Sequence, residues 1–193
     1  ARRVPVSIAI TALAERAYVQ STDHAPHPEV AGAARRAILA ARGPDGTWAR
    51  GPLGNYVNSV VISALAAEDD PASRPLIDAA LASLKSLQWD ETEGLTPRAD
   101  WYGGAGYGSS GRPDLSNTQL MLEALYDAGV SPDEPAVQRA LAFVTRTQNL
   151  SATNPADWAG DDGGFADAPA NGGESMASEA AGEGRRGELI PAG

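Results

Sequence analysis

Three glycines have the spacing of a motif that binds the phosphates of nucleotides. Gly106, Gly108 and Gly111 follow the pattern Gly-x-Gly-x-x-Gly and precede a predicted helix. In dinucleotide-binding domains such glycines let the backbone approach a pyrophosphate, but only where a β-strand leads into the motif. No strand pattern precedes these glycines. The sequence therefore favours an ordinary glycine-rich loop over a nucleotide site.

Two groups of potential metal ligands also occur, both in predicted loops. One is the pair His24 and His27, which Asp23 and Glu29 could only speculatively complete, and metal sites need three or more ligands. The other consists of four aspartates whose oxygen atoms would suit calcium: Asp157, Asp161, Asp162 and Asp167. They lack the spacing and the final Glu of an EF-hand, and Asx-turns and helix caps explain them adequately. We predict no metal site.

Aromatic and cationic side chains lie in a glycine-rich stretch, residues 94–114. Long loops of this composition often bind ligands. Trp101, Tyr102, Tyr107 and Arg112 are the candidate ligand-binding residues there, and Asn117 follows at the start of a nearly apolar helix. The alternative is a structural lid in which these side chains pack on neighbouring elements and the amide caps its helix. The residues alone leave both interpretations open.

Composition excludes several classes of function. The net charge is −10, whereas nucleic acid and anionic membranes bind cationic surfaces. Cysteine is absent, so the chain has no disulfide, thiolate nucleophile or thiolate zinc site. No apolar run reaches the length of a transmembrane helix. The compartment stays open.

Six predicted helices must position these residues, and they alternate between two classes. Segments 34–42, 80–88 and 140–148 align without gaps, and each precedes an acidic, glycine-bearing loop at 44–48, 89–94 and 161–165. Between them lie segments 4–19, 56–67 and 115–128, which share the triplets 11–13, 63–65 and 123–125. Such an internal repeat is typical of stacked helical hairpins.

The two classes differ in polarity. Segments 56–67 and 6–14 carry no charge, and a helix that is apolar all round is expected to be buried on all sides. The other class is amphipathic, with the stripe Leu76, Ala80, Leu84 and Leu87. This alternation predicts an all-α fold in which inner helices are wrapped by outer ones.

The repeats resemble the QW repeats of squalene–hopene cyclases and their relatives. Gln88-Trp89 matches the motif, Gln148 with Phe165 is a second copy, and a degenerate copy has Arg42 in place of the glutamine and ends at Trp48. The resemblance implies an α/α toroid and structural roles for Trp48, Gln88, Trp89, Gln148 and Phe165. It implies one incomplete domain over 1–193, with hairpin repeats at 4–150, the insertion at 94–114, and a loop and truncated tail at 151–193.

Residues 101–108, 112–119 and 169–175 further resemble bacterial prenyltransferase/squalene-oxidase-repeat proteins. The chemistry of the superfamily is nevertheless missing. The Asp-x-Asp-Asp acid of the cyclases is absent, and the zinc site of the prenyltransferases needs a cysteine. Four Trp, five Tyr and two Phe are also few for lining a carbocation pocket. We therefore predict no catalytic residue, metal or cofactor in this chain.

Three functions stay open. The first is a binding or interaction scaffold with an apolar small molecule or a protein in the toroid cavity. The second is a fragment of a terpene cyclase or prenyltransferase whose catalytic residues lie elsewhere. The third is a polysaccharide-handling (α/α) barrel, for which only Asp114 is suitably placed. We interpret both ends of the sequence as cuts, and we expect exposed apolar edges because three hairpins cannot close a ring. The sequence leaves the oligomeric state unknown.

Overall fold

The protein is all-helical, as predicted. The computed structural model describes residues 5–21 and 28–172, and within them it has no β-sheet, only two isolated bridges. The helices of these residues are α1 Pro5–Gln20, α2 Pro28–Ala41, α3 Gly54–Ala67, α4 Arg74–Lys85, α5 Leu115–Asp127 and α6 Pro135–Thr147. Short 3₁₀ helices lie at Gly51–Leu53, Pro71–Ser73, Glu91–Glu93 and Pro169–Asn171.

The chain divides into two compact units. The first contains residues 1–87, 106–111 and 120–132, and the second contains residues 88–105, 112–119 and 133–193. Helices α1 to α4 belong to the first unit and α6 to the second, while α5 begins in the second and ends in the first.

Helix α3 is the core of the first unit. Nearly all of its residues from Gly54 to Leu65 are buried, and none carries a charge. Helix α3 packs against α1 and α4, and α2 packs against α1. Each fully buried Val, Leu or Ile contributes about 1.5–3 kcal/mol. The prediction that this uncharged helix is buried on all sides is confirmed.

For α1 the same prediction is wrong. Ile8, Ala9 and Ala12 are buried, but Ile10 is 60% exposed and Leu13 is 44% exposed. The physical reason is that α2 and α3 cover one side of α1 and no described residue covers the other. A lack of charge therefore did not mean burial on all sides.

Helices α4 and α6 are amphipathic and bury one stripe each. In α4 the buried residues are Ile77, Ala80, Leu81 and Leu84. The predicted stripe is thus correct at Ala80 and Leu84, whereas Leu76 and Leu87 are half-buried. In α6, a helix of the second unit, the buried residues are Ala136, Ala140, Phe143 and Thr147. None of the described helices is long and apolar enough to cross a membrane.

Candidate functional site

A hydrogen-bonded loop closure lies directly after α4, at Gln88 and Trp89. The Gln88 side-chain Nε2 donates to the Gly103 carbonyl oxygen at 2.9 Å. The Trp89 backbone N–H donates to the Gly104 carbonyl oxygen at 2.9 Å, and the Gly103 N–H donates to the Trp89 carbonyl oxygen at 2.7 Å. We call this set of three bonds a clasp. It holds the two ends of segment 90–102 together.

The same clasp recurs after α6. The Gln148 Nε2 donates to the Gly163 carbonyl oxygen at 3.4 Å. Asn149 donates its backbone N–H to the Gly164 carbonyl oxygen at 2.7 Å and accepts from the Gly163 N–H at 3.0 Å. Here the clasp closes segment 150–162, so Gln148 and Asn149 take the places of Gln88 and Trp89.

A third copy follows α2 in the first unit. The Arg42 Nε donates to the Gly46 carbonyl oxygen at 3.2 Å. The Gly43 N–H donates to the Thr47 carbonyl oxygen at 2.7 Å, and the Gly46 N–H donates to the Gly43 carbonyl oxygen at 3.0 Å. The guanidinium of Arg42 thus replaces the glutamine amide, and only residues 44 and 45 lie between the closed ends.

The clasps correct the predicted equivalence of the loops. The sequence predicted 89–94 as the loop that corresponds to 44–48 and 161–165, but Gly103, outside that loop, makes the equivalent bonds. Gly46, Gly103 and Gly163 share φ values of +87°, +83° and +75°, a left-handed conformation that glycine adopts at the least cost. The predicted loop ended too early because the segment between Trp89 and Gly103 is longer than the connection between Gly43 and Gly46.

A side chain from the following helix anchors the residue after each of two clasps. The Asn58 Oδ1 of α3 accepts the Trp48 N–H at 2.8 Å, and its Nδ2 donates to the Ala49 and Gly54 carbonyl oxygens at 2.9 and 2.6 Å. In the second unit, the Thr118 Oγ1 accepts the Ala105 N–H at 3.0 Å. Asn58 and Thr118 each donate to the carbonyl four residues earlier, Gly54 and Asp114.

Contacts differ among the other predicted repeat residues. Trp48 is 6% exposed and its indole N–H donates to the Ile38 carbonyl oxygen at 2.8 Å. Trp89 packs edge-on against Trp101 with ring centroids 4.8 Å apart. Phe165 is 44% exposed although it bridges to Gln148. Of the three predicted aromatic repeat residues, Trp48 is therefore the most deeply buried.

The predicted ligand residues Trp101 and Tyr102 lie among structural contacts of the second unit. Tyr102 is buried, and its hydroxyl donates to the Glu91 Oε1 at 2.7 Å. Arg139 pairs with the other Glu91 oxygen at 2.7 Å. The Tyr102 hydrogen bond is the main cause that lowers the pKa of Glu91, and the same bond raises the pKa of Tyr102. These groups tie α6 to the loop.

The other three candidates have separate partners. Arg112 pairs with Asp167 at 2.5 Å and donates to the Asn171 side chain at 2.5 Å. Asn117 is buried, and its amide donates to both carboxylate oxygens of Asp114, at 3.0 and 2.8 Å. Tyr107, in the first unit, is 55% exposed and lies 6.1 Å from the Tyr56 ring. Within the second unit, Tyr102, Arg112 and Asn117 therefore have no partner in common.

Asp114 acts as the cap of α5. Its Oδ1 accepts the Asn117 backbone N–H and the Ser116 hydroxyl, both at 2.8 Å. A carboxylate here satisfies an amide that the first turn of a helix leaves free. These bonds give Asp114 a structural role as a helix cap. Asp114 was the only residue that the sequence placed suitably for polysaccharide chemistry.

The glycine-rich motif 106–111 packs against the start of α3. Asn55 and Tyr56 donate their backbone N–H groups to the Tyr107 carbonyl oxygen at 3.0 and 3.2 Å, and the Asn55 amide donates to the Gly106 carbonyl oxygen at 2.8 Å. A Cβ on Gly108 would lie 1.8 Å from the Gly51 carbonyl oxygen. The motif presents carbonyl oxygens to α3, and no β-strand precedes it among the described residues.

Pockets in the first unit are lined by other residues. One open pocket of about 300 Å³ is lined by Val19, Ala31, Gly32, Arg35, Glu68 and Asp70. Another of about 380 Å³ includes Asp45, Thr47, Arg50, Ser83 and Ser109 in its lining. The hydroxyl of Thr47 is the main cause that lowers the pKa of Asp45 to about 2. Neither pocket includes a residue predicted to bind ligand.

Three of the four aspartates in the predicted acidic cluster have partners within the fold. Asp161 accepts the Ser151 hydroxyl at 2.7 Å, Asp162 accepts the Gly164 N–H at 2.7 Å, and Asp167 pairs with Arg112. Across residues 5–21 and 28–172, no group of three or more His, Asp and Glu could hold a metal ion. His24 and His27 lie outside the described residues.

Glu15 is a buried acid that the sequence pattern did not single out. Glu15 is 2% exposed, and neither carboxylate oxygen has a hydrogen-bond partner. Burial raises the pKa of Glu15 to about 7, although the Arg35 charge lowers it in part. Glu15 follows Ile8 and Ala12 at helical spacing, so the period of α1 placed it on the buried face.

Comparisons with protein-family models, curated proteins and solved structures gave no match.

Proposed function

We propose that this chain is a segment of an α/α toroid of the squalene–hopene cyclase and prenyltransferase kind, and that it serves as a binding or interaction scaffold without catalytic residues of its own. The proposal rests on one observation: the clasp occurs three times, once after each of α2, α4 and α6. Arg42, Gln88 and Gln148 use their side-chain donors to close loops. Repeated closure of this kind supports a stack of similar hairpins.

The contacts of the polar residues also favour a scaffold. Asp114, Asn117 and Arg112 use their charged or amide groups within the fold. A catalytic carboxylate would instead face a cavity and have its pKa tuned to its task. Glu15 has a raised pKa, but it is not among the described residues that line the two pockets above.

Turnover assays test the proposal. The chain is incubated with squalene and, separately, with a prenyl diphosphate plus Mg²⁺ and Zn²⁺, and products are separated by gas chromatography with mass detection. We expect no product above a heat-denatured control. Product formation that Glu15→Gln abolishes would overturn the scaffold function and favour an enzyme.

Binding is measured alongside turnover. The emission of Trp89 and Trp101, which pack together, is expected to stay unchanged when the isoprenoids are added, because the loop that carries them closes on itself. A saturable change that Trp101→Phe removes would show that this loop binds isoprenoids, and the scaffold would then be one for a small apolar ligand.

A further inference from the structure

Glu15 is buried on α1 where few charged groups can act on it. The carboxyl is 2% exposed, and neither oxygen has a hydrogen-bond partner among the described residues. Helix α3, which packs against α1, carries no charge. Helix α2 also packs against α1, and there Glu29 and Arg36 are exposed while Arg35 is half-buried. The Arg35 charge acts on the carboxyl, since it lowers the pKa of Glu15 in part.

Arg16, the neighbour of Glu15 in the chain, is paired with other acids. Its guanidinium lies 2.7 Å from the Glu123 Oε1 and 3.1 Å from the Asp127 Oδ2, and both acids belong to α5. Adjacent residues of a helix do not face each other, so Arg16 and Glu15 point to different sides of α1. Arg35 is therefore the cation that is in a position to pair with an ionised Glu15.

In the structure, Arg35 supports the turn that follows α3. Its guanidinium pairs with Glu68 and with the Asp70 Oδ2, the latter at 2.8 Å. We call these three residues the Arg35 triad. Between the two acids lies Asp69, the one residue other than glycine with a positive φ, +51°, in the described part of the chain. Such a left-handed conformation is unfavourable for a residue with a Cβ, and the triad ties both of its neighbours to α2.

The two acids of the triad differ in exposure. The Glu68 side chain is 12% exposed and the Asp70 side chain is 41% exposed. An ion pair with an exposed carboxylate contributes little to stability, whereas a buried carboxylate that ionises without a partner is costly. An ionised Glu15 therefore competes for Arg35 more strongly than Asp70 does. The triad also lines the open pocket of about 300 Å³, which leaves the guanidinium room to change its rotamer.

We propose that a proton on Glu15 decides which acids Arg35 binds. With Glu15 protonated, Arg35 pairs with Glu68 and Asp70, as in the structure. When Glu15 loses its proton to solvent, Arg35 exchanges Asp70 for Glu15, and the turn loses its support on one side. Burial raises the pKa of Glu15 to about 7, so the turn is held at lower pH and released as the pH rises to about 7. The exchange offsets only part of the cost of burying the charge, and it does not depend on the scaffold function.

The Ala72 amide reports on the exchange, because it donates to the Asp70 Oδ1 at 2.9 Å. Its chemical shift is followed by NMR of the complete chain from about pH 5 to about pH 8, together with the carboxyl carbon of Glu15. We expect a step in the Ala72 shift at the midpoint of Glu15, and no step in Glu15→Gln. The comparison is needed because His24 and His27 also titrate in this range. Absence of the step from the natural chain, or a step that remains in Glu15→Gln, would overturn the proposal.

A matched turn and a second variant show whether Arg35 transmits the effect. Thr92 donates its amide N–H to the Asp90 Oδ1 at 2.8 Å in the same kind of cap, and we expect its shift to show no step at the midpoint of Glu15. In Arg35→Met, Glu15 is expected to titrate at a higher pH while the Ala72 step disappears. A step that persists in Arg35→Met would be a direct effect of the Glu15 charge and would rule out the exchange.

Hydrogen exchange tests the release of the turn without altering Arg35. The Ser73 N–H donates to the Asp70 carbonyl oxygen at 2.9 Å, and the Glu93 N–H makes the equivalent bond to Asp90 at 3.3 Å. After correction for the intrinsic rate, we expect Ser73 to exchange about threefold faster at about pH 8 than at about pH 6, the factor that loss of an exposed ion pair supplies. The ratio is expected to be one for Glu93, and for Ser73 in Glu15→Gln. A ratio of one for Ser73 in the natural chain would contradict the proposal.

Discussion

The unpaired Glu15 carboxyl makes the stability of the protein depend on pH. Its pKa is about 7 in the folded chain, against 4.5 for an ordinary Glu. The folded state therefore keeps a proton that the unfolded state releases as the pH rises above about 4.5. The free energy of unfolding falls between about pH 4.5 and 7 and levels off above that, since both states are then ionised.

Glu15→Gln removes this dependence. We expect the variant to gain about 3 kcal/mol over the natural chain at pH 8 and nearly nothing at pH 4.5, as the shift in pKa requires. Urea unfolding at several pH values measures the difference. Asp78→Asn, at a half-exposed carboxylate paired with Arg74 at 2.8 Å, serves as the matched exchange of a carboxyl for an amide. An equal gain in the free energy of unfolding at both pH values would contradict the raised pKa of Glu15.

Gln88 and Gln148 make the same clasp bond but differ in burial. Gln88 is 2% exposed and also donates to the Ala136 carbonyl oxygen at 2.9 Å, whereas Gln148 is half-buried with one bond of 3.4 Å. Gln88→Met leaves two buried carbonyl oxygens without this donor, and we expect it to cost about 2–3 kcal/mol.

The matched change Gln148→Met is expected to cost less than about 1 kcal/mol. Chemical denaturation of the two variants makes the comparison. Equal losses would mean that the extra Gln88 bond and its burial contribute nothing.

At the scale of an element, Gly103 joins the clasp that follows α4 to helix α6. Its φ is +83°, and a Cβ there would lie 1.9 Å from the Arg139 carbonyl oxygen, a backbone atom that cannot move alone. We expect Gly103→Ala to cost more than about 3 kcal/mol, because steric overlap adds to the backbone penalty. The measurement is thermal unfolding of the purified variant.

Gly94→Ala separates the two contributions. Gly94 has a similar φ of +76°, but nothing lies within 4 Å of its added Cβ. Only the backbone penalty remains, and we expect a loss of about 1–2 kcal/mol. If the two alanine variants unfold alike, the close approach of Gly103 to α6 is not a feature of the protein in solution.

The helices were predictable from the sequence, and the loop closures were not. Uncharged α3 and amphipathic α4 follow from residue periodicity, which reports on each helix by itself. The clasp pairs Trp89 with Gly103 across an intervening segment, and nothing in the local pattern distinguishes Gly103 from Gly94. The exposure of Ile10 was missed for the same reason, because burial depends on which neighbours a helix has.

The sequence identified the types of residue in the candidate site, but it did not predict which residues contact each other there. The sequence singled out Tyr102, Arg112 and Asn117 because aromatic, cationic and amide groups bind ligands. Their partners Glu91, Asp167 and Asp114 are ordinary acidic residues in the sequence, and only the fold brings them within hydrogen-bond distance. The structural interpretation of the loop, which the sequence left open, accounts for these three side chains.

At the scale of the whole molecule, burial predicts a gradient of protection in hydrogen exchange. Helix α3 is buried along most of its length, while α1 has one uncovered face and α4 has one buried stripe. We expect the amides of α3 to exchange most slowly in the first unit, because they open only with the core. Mass-spectrometric exchange on the intact chain measures this, and faster exchange in α3 than in α4 would contradict the packing order.

Because the clasp bonds join the two ends of a loop, the length of the loop can change without changing the helices on either side. The same three bonds hold a connection of two residues between Gly43 and Gly46 and the much longer segments 90–102 and 150–162. Extending a flexible loop whose ends are already joined costs only about 0.6 kcal/mol per doubling of its length. Segment 150–162 is therefore a natural insertion point, where an epitope or a foreign peptide could be displayed without disturbing the helices on either side.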